Sequence, residues 1–277
     1  MFFSGIADEA GKPLETQIRA HQDLGWKHIE VRSVDDTTLA DADDETFERI
    51  HARLQEAGMQ VSCFAGAVAN WAREVSEPDD KDIAELRSSI PRMRKMGAPF
   101  IRIMSYANKN GVDEAQWRAT AIERIRTFAK MAEDGGVTLV HENCTGWGGL
   151  SPRNTLEMLS QVNSPALKLV FDIGNATGHG IDAWEYYQAV REHIVYVHIK
   201  DIDRTAGRTT WPGEGDAQIP RIVADLLATG YDGGFSIEPH LKAQAHLGTE
   251  SDPQEMYDTY VEYGRRFMKL MDDVRAS

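Results

Sequence analysis

Short apolar runs alternate with longer amphipathic segments along almost the whole chain of 277 residues. Runs of five to seven residues, bounded by turn-forming residues, are typical of buried parallel strands, whereas the longer segments between them are typical of helices. This alternation predicts eight strand–helix units. The predicted strands are residues 3–7, 28–32, 60–64, 100–104, 137–142, 167–172, 194–200 and 234–238.

The segments between these runs carry apolar residues at helical spacing. Between residues 45 and 57, Phe47, Ile50 and Leu54 recur at intervals of three and four, which places them on one buried stripe. The predicted helices are residues 13–24, 45–57, 80–96, 113–134 and 253–274. Pro91 lies inside the third segment, and because proline has no backbone N–H we expect this helix to be divided into two pieces.

Glycines punctuate these units. Each of five glycines follows a helical segment and precedes a strand, where glycine adopts the left-handed conformation that ends a helix: Gly25, Gly58, Gly97, Gly135 and Gly230. Eight such units predict a single (β/α)8 TIM barrel that spans residues 1–277 as one domain. An open, doubly wound sheet would need a glycine-rich phosphate loop after the first strand, but residues 8–11 read DEAG.

The charge of the chain limits its partners. There are 30 basic and 44 acidic residues, a net charge of −14, and such a surface repels the phosphate backbone of nucleic acids. Two cysteines do not form a disulfide framework, the N-terminus does not resemble a signal peptide, and no apolar run is long enough for a membrane span. We therefore expect a cytoplasmic protein with a small-molecule partner.

Ionisable residues end four consecutive predicted strands: Glu142, Asp172, His198 and Glu238. Each of them alone has a structural interpretation, as a helix cap or a hydrogen-bonded core residue. In a barrel, however, neighbouring strands lie about 5 Å apart and their carboxyl ends meet at one face, so three carboxylates would repel one another without a cation. The pattern predicts one divalent ion. Three oxygen donors and one imidazole favour Mn²⁺, with Mg²⁺, Co²⁺ or Zn²⁺ as alternatives.

Several longer motifs accompany these strand ends, namely LGWKHIEVRSV, IRIMSY, WPGEGD and GYDGGFSIEPHL. With them, nearly the whole chain resembles the sugar phosphate isomerase/epimerase superfamily, the xylose isomerase-like barrels. This superfamily includes tagatose and ribulose 3-epimerases, hydroxypyruvate isomerase, inosose isomerase and dehydratase, and endonuclease IV. The resemblance implies a metal held by two Glu, one Asp and one His, with Glu142 and Glu238 also acting as acid and base through a metal-stabilised enediolate.

The same resemblance suggests residues that bind the substrate. In the 3-epimerases a substrate-binding His follows the Asp ligand by three residues; here Asn175 has that position and His179 lies further along. Arg204 lies six residues beyond His198, where those enzymes also have a substrate-binding Arg. Lys200 belongs to an HxKD motif and is a candidate proton donor or oxyanion ligand. Three further candidates come from other strand ends and a mouth loop: Glu30, Arg102 and Trp147.

These features leave several functions open. The leading hypothesis is a metal-dependent isomerase or epimerase of a small keto-sugar, sugar or cyclitol. The alternative is an inosose-dehydratase-like lyase, which Lys200 and Asn175 favour. An endonuclease IV-like repair enzyme and a non-catalytic binding barrel are further alternatives. No glycine-rich phosphate cradle follows the seventh or eighth predicted strand, so we expect an unphosphorylated sugar or polyol. Barrels of this kind are often homodimers or homotetramers.

Overall fold

A parallel sheet that curls into a barrel forms the centre of the protein. The computed structural model describes residues 1–242 and 252–276. Its strands are β1 (Phe2–Gly5), β2 (His28–Val31), β3 (Ser33–Val34), β4 (Thr37–Thr38), β5 (Gln60–Phe64), β6 (Phe100–Ile103), β7 (Thr138–Glu142), β8 (Leu167–Asp172), β9 (Ile194–Ile199), β10 (Asp201–Asp203), β11 (Arg208–Thr210) and β12 (Gly234–Ile237).

Eight of these strands pair side by side in the order β1-β12-β9-β8-β7-β6-β5-β2, and every pair in this sheet is parallel. The two ends of the sheet meet at β1 and β2, where one parallel bridge joins Ile6 to Glu30. The predicted (β/α)8 barrel is therefore confirmed, and it is nearly closed. Two short antiparallel hairpins, β3–β4 and β10–β11, were not predicted.

Helices lie between the barrel strands. They are α1 (Leu14–Asp23), α2 (Asp44–Glu56), α3 (Asp80–Met96), α4 (Glu114–Gly135), α5 (Pro152–Val162), α6 (Ile173–Gly178), α7 (Ala183–Val190), α8 (Ile219–Ala228) and α9 (Pro253–Ala276). None of the helices in the described part of the chain is both long and apolar enough to cross a membrane.

The expectation that Pro91 divides a helix in two is wrong, because α3 is continuous over 17 residues with Pro91 inside it. Proline removes only one backbone hydrogen bond from the helix. Leu86 and Met93, on either side of it, are both fully buried in the same apolar cluster. We infer that this shared packing keeps the two halves of α3 in line.

Four of the five predicted helix-ending glycines have the left-handed backbone, and the fifth assignment is wrong by one residue. Gly135 is the last residue of α4, and Gly136, at φ 69°, ends the helix. A Cβ atom on Gly135 would lie 2.3 Å from Cγ2 of Ile90 in α3. Gly135 therefore allows α3 and α4 to pack closely, while its neighbour makes the turn.

Apolar residues fill the space between the barrel and its helices in two large clusters. A third and smaller cluster, made of Cys63, Val140, Val170 and Tyr196, comes from strands around the bore. Since strand residues two apart share a face, Val140 lies below Glu142, Val170 below Asp172 and Tyr196 below His198. The bore thus forms an apolar layer beneath the polar ends of the strands.

Candidate metal centre and active site

The four ionisable strand ends converge at the mouth of the barrel. Glu142, Asp172 and His198 end or nearly end β7, β8 and β9, and Glu238 directly follows β12. One ligand atom from each of the four lies within 4.8 Å of the others, and all four side chains are buried. The register β7–β8–β9–β12 brings these side chains together, as the sequence pattern predicted.

The His198 ring is oriented for ligation. Its Nε2 lies 3.2 Å from both carboxylate oxygens of Glu30, and Ser236 donates a 2.6 Å hydrogen bond to the same carboxylate. Nδ1 of His198 has no hydrogen-bond partner among the described residues, and it faces Glu238 Oε2 at 3.6 Å and Glu142 Oε1 at 4.0 Å. A buried ring nitrogen that is free and faces carboxylates, while the other is held by Glu30, is the usual arrangement of a metal-ligating histidine.

Glu30 thus lies below the four ligands instead of at the mouth. The sequence suggested Glu30 as a substrate-binding residue, with an ion pair to the nearby Arg32 as the structural alternative. In the structure Glu30 is fully buried beneath His198, and Arg32 instead binds Asp8 at 2.9 Å. A register shift between Ile29 and Glu30 accompanies this change, and a single sequence gives no signal of it. The contact pattern of Glu30 is that of a support for His198.

Asp172 is held by backbone contacts at the start of α6. Its Oδ1 accepts from the backbone N–H of Asn175, as an N-cap does. Asn143 makes two hydrogen bonds with the backbone of Asp172, of 2.7 and 2.8 Å. The Asn175 amide also donates to Glu142 Oε1 at 2.9 Å. Asn143 was missed by the sequence reasoning, although its place directly after Glu142 was the available signal.

Two buried cations lie beside the carboxylates. Nζ of Lys200 is 2.7 Å from Asp172 Oδ2 and 3.1 Å from Glu238 Oε2, and Arg102 Nη1 is 3.3 Å from Glu142 Oε2. Burial, opposed by Lys200 but reinforced by the charges of Glu238 and Glu142, raises the pKa of Asp172 to about 7. Three carboxylates thus converge in a buried site beside two fixed cations, Lys200 and Arg102, and a divalent cation held there would compensate the remaining negative charge.

His240 and Glu9 extend the site on the side of β12. His240 Nε2 lies 3.1 Å from Glu238 Oε1 and 3.2 Å from Glu9 Oε1, and its backbone N–H donates to Glu9 Oε2 at 2.8 Å. Burial opposes ionisation of Glu238, but Lys200 and then His240 outweigh it and hold the pKa of Glu238 well below its usual range. Glu9, which lies in the DEA triplet after the first strand, was not predicted from the sequence.

These residues fit a divalent metal ion. The donor set is three carboxylates and one imidazole, a set suited to Mn²⁺ or Mg²⁺. Nδ1 of His198 has no hydrogen-bond partner among the described residues and lies close to the carboxylates, which also supports metal binding. Glu142, Asp172, His198 and Glu238 would hold the ion.

A cavity of about 1200 Å³ opens above this centre. Six of the eleven residues predicted from the sequence line it: Arg102, Glu142, Asn175, Lys200, Arg204 and Glu238. Asp172, His198 and Glu30 are fully buried beneath it. His179 is exposed on the loop after α6 and is not part of the described lining.

Trp147 takes a different position from the one predicted for it. It is only 2 % exposed and belongs to the apolar cluster between the barrel and its helices, and it is not part of the described cavity lining. Trp71 does line the cavity and is 40 % exposed. Trp71 is therefore the tryptophan to test for contact with a sugar ring, together with Trp117, which also lines the cavity.

Comparison with known proteins agrees with this fold. The family model described as "Xylose isomerase-like TIM barrel" matches residues 18–263, which is most of the chain. The chain belongs to this family. The family assignment confirms the resemblance inferred from the strand ends and motifs.

The curated relatives of this xylose isomerase-like barrel include sugar epimerases. The chain is 26 % identical to the L-ribulose-5-phosphate 3-epimerase UlaE of Shigella flexneri, and the match covers 83 % of each chain. It is 25 % identical to the 2-epi-5-epi-valiolone 7-phosphate 2-epimerase of Actinoplanes sp. over 64 % of each chain, so it spans less than two thirds of that relative. The chain also matches the uncharacterized protein MJ1311 of Methanocaldococcus jannaschii, at 31 % identity over 41 % of each chain, and so spans less than half of that relative.

A solved structure of similar fold is that of the probable 3-DHS dehydratase AsbF from Bacillus anthracis. The TM-score is 0.75 with 16 % identity, covering 97 % of this chain and 99 % of that one. At this level of identity the likeness establishes the shared barrel fold.

Proposed function

We propose that this barrel is a divalent-metal-dependent isomerase or epimerase that acts on a small keto-sugar, sugar or cyclitol. The observation that carries the proposal is the buried quartet of Glu142, Asp172, His198 and Glu238 at the floor of a large cavity. The matched epimerases of Shigella flexneri and Actinoplanes sp. support the class of reaction, since both are named for inverting one stereocentre of a phosphorylated substrate.

A divalent ion held here would draw electron density from a carbonyl and the neighbouring hydroxyl of the substrate, and so acidify the C–H bond next to them. Mn²⁺ is our first choice, with Mg²⁺, Co²⁺ and Zn²⁺ as alternatives. Side chains of the protein carry out the proton transfers.

Glu142 and Glu238 are the proposed acid–base pair. They come from β7 and from the end of β12, and β8 and β9 lie between these strands in the sheet, so the two carboxylates approach the cavity from different sides. One carboxylate removes the proton from the substrate carbon to give an enediolate, and the other returns a proton. Return to the opposite face of the same carbon inverts it, and return to the neighbouring carbon exchanges aldose and ketose.

The surrounding contacts assign supporting roles. Arg102 and the Asn175 amide bind opposite oxygens of Glu142 and fix its carboxylate plane. Lys200 and His240 do the same for Glu238. Both proposed proton carriers are therefore pre-positioned before the substrate enters, which is the condition for efficient proton transfer.

The test is solvent deuterium entry into a panel of ketoses and inososes, measured per bound metal ion for the wild-type protein, Glu142→Gln and Glu238→Gln. General acid–base catalysis is worth about 100- to 10,000-fold, so each variant should lose at least about 100-fold of its exchange rate. Glu157→Gln, which breaks an ion pair with Arg118 outside the cavity, is the matched control. Undiminished exchange in both site variants would refute the assigned pair.

A lyase is the second candidate, and one observation favours it. Lys200 is a buried ammonium 3.1 Å from Glu238 Oε2, beside the proposed base, and can supply a proton to a departing hydroxyl group. With the same proton abstraction, loss of a β-hydroxyl would give an enone in place of a stereoisomer. Absorbance of an enone product distinguishes the two reactions, and a panel that yields only isomers excludes the lyase.

A further inference from the structure

A second group of potential metal ligands lies beside the quartet, on the side of β1 and β12. It consists of Glu9, Glu238 and His240, and one ligand atom from each lies within 4.8 Å of the others. Glu9 lies shortly after β1, whereas Glu238 and His240 follow β12, and these two strands are paired in the sheet. The pairing therefore brings together residues that are up to 231 positions apart in the chain.

The carboxylate of Glu238 faces both groups of ligands. Its Oε2 lies 3.6 Å from Nδ1 of His198, which belongs to the quartet. Its Oε1 lies 3.1 Å from Nε2 of His240, which belongs to the second group. Two-metal sites hold their ions about 3.5–4 Å apart, a separation that one carboxylate can span with its two oxygens. Glu238 is therefore placed to bind an ion on either side.

Glu9 presents a buried oxygen to the same point. The residue is only 3 % exposed, and its Oε2 accepts from the backbone N–H of His240 at 2.8 Å. Its Oε1 accepts no hydrogen bond within residues 1–242 and 252–276, although it lies 3.2 Å from Nε2 of His240. Nη2 of Arg32 is 3.8 Å from this oxygen, and the guanidinium binds Asp8 at 2.9 and 3.0 Å instead. A buried carboxylate oxygen without a hydrogen bond is costly, and a bound cation would remove that cost.

The backbone of His240 is held in an uncommon conformation. Its φ is 49°, in the left-handed region. The backbone N–H donates to Glu9, and the carbonyl accepts from the Thr209 hydroxyl at 2.8 Å. A residue other than glycine keeps this conformation only where its surroundings hold it, and such residues are frequent at ligand-binding sites. The two hydrogen bonds fix His240 beside both carboxylates.

The charge around the two groups leaves room for two divalent ions. With neutral imidazoles, the ion pairs that connect the groups join six carboxylates to three Lys or Arg side chains among the described residues: Asp8, Glu9, Glu30, Glu142, Asp172 and Glu238, with Arg32, Arg102 and Lys200. One divalent ion does not offset this excess of carboxylates. A second ion would leave a small positive charge, which suits the negative oxygen of an enediolate.

We propose that Glu9, Glu238 and His240 bind a second divalent transition-metal ion, which shares Glu238 with the ion of the quartet. Two carboxylates and one imidazole suit Mn²⁺ or Zn²⁺. Three protein ligands leave coordination positions open, as in catalytic metal sites that also bind water or substrate. Glu238 and His240 line the cavity, so these positions are available to a hydroxyl oxygen of a polyol. The inference rests on the quartet as the first metal site, which belongs to the proposed function.

The test is the number of Mn²⁺ ions bound per chain, measured by equilibrium dialysis of the full chain at slightly alkaline pH, where imidazole ligands are deprotonated. His240→Ala and Glu9→Gln each remove a ligand of the second group only. Asp172→Asn removes a ligand of the quartet only, and it is also combined with His240→Ala. The matched control is His51→Ala, because His51 lies on α2 outside the barrel, stacked on Phe47.

We expect two ions per chain in the wild-type and in His51→Ala, one in each of the three single site variants, and none in the double variant. Two Mn²⁺ ions that share Glu238 are magnetically coupled, and the EPR spectrum should lose this coupling in every single site variant. One ion in the wild-type, bound more weakly in His240→Ala, would show that Glu9 and His240 only orient Glu238, and would overturn the second site.

The stoichiometry separates this proposal from the proposed function, since it requires no turnover. Two bound ions without deuterium exchange in any substrate would leave the second site standing and refute the isomerase assignment. Exchange at full rate with one bound ion would do the reverse. A wild-type chain that binds no Mn²⁺ would refute both.

Discussion

Replacing Glu30 by Gln tests the support under the metal centre. Glu30 is fully buried, and its two oxygens lie 3.2 Å from His198 Nε2 while one accepts from Ser236. Gln keeps the volume and one acceptor but removes the charge. The change therefore leaves the shape of the bore intact and weakens only the partner of the ligating ring.

The size of the effect follows from that geometry. Burial opposes the charged imidazolium, but the Glu30 carboxylate outweighs it and raises the pKa of His198 to about 9. Without this charge the ring is a weaker electron donor and less firmly oriented. Outer-shell partners of metal ligands contribute about 10- to 100-fold in affinity, so we expect Glu30→Gln to weaken Mn²⁺ binding by roughly 1.4–2.7 kcal/mol.

The assay is calorimetric titration of the metal-free chain with Mn²⁺, together with the rise in Tm that saturating Mn²⁺ produces. The smaller affinity should reduce that rise, because stabilisation by a ligand depends on its concentration relative to its Kd. Asp82→Asn is the matched control: Asp82 is also a buried carboxylate, bound to the Ala69 N–H and the Tyr106 hydroxyl. It should lower the Tm but leave the Mn²⁺ affinity unchanged. Wild-type affinity in Glu30→Gln would refute the supporting role.

Three further predictions follow from single contacts. Lys200→Met should tighten Mn²⁺ binding by about tenfold or more in titration, because an ammonium 2.7 Å from Asp172 opposes a second cation there; weaker binding would contradict this. Burial lowers the pKa of His21 to about 4 from 6.5, so the folded protein binds fewer protons than the unfolded chain. The protein's free energy of unfolding should therefore be highest above pH 6.5 and fall by up to about 3 kcal/mol as the pH drops toward 4. In urea melts, His21→Gln should show a smaller decrease of the free energy of unfolding over that pH range. Pro91→Ala restores a helical N–H in α3 and should stabilise the protein by about 1–3 kcal/mol in the same melts; an unchanged midpoint would show that the proline causes no loss.

The barrel and the quartet could be predicted because both depend on local patterns that repeat along the chain. Each of Glu142, Asp172, His198 and Glu238 follows an apolar run. Their convergence can then be predicted from the rule that the carboxyl ends of parallel barrel strands lie at one face. The resemblance to the family drawn from the sequence rests on the same strand ends and their neighbouring motifs, and the family model confirms it over residues 18–263.

Contacts across the barrel could not be predicted in this way. The pairing of Glu30 with His198 spans 168 residues and depends on a register shift in β2. Trp147 was assigned to the mouth because it follows a strand, but a short helical turn directs it into the apolar cluster. Pro91 misled because packing against the core outweighs one missing hydrogen bond. Each difference arises where a tertiary contact overrides a local rule.

A single bridge, between Ile6 and Glu30, joins the two edge strands of the sheet, β1 and β2. The other seven pairs of neighbouring strands have regular parallel pairing, so the junction of β1 and β2 should open more easily than any of them. This junction is called the seam below. Amide protons at the seam should accordingly exchange sooner than those of β7 or β8, where the pairing is continuous on both sides. Because Glu30 lies at this seam and also contacts His198, a metal ion bound by His198 would stabilise the seam, and its removal should speed amide exchange there.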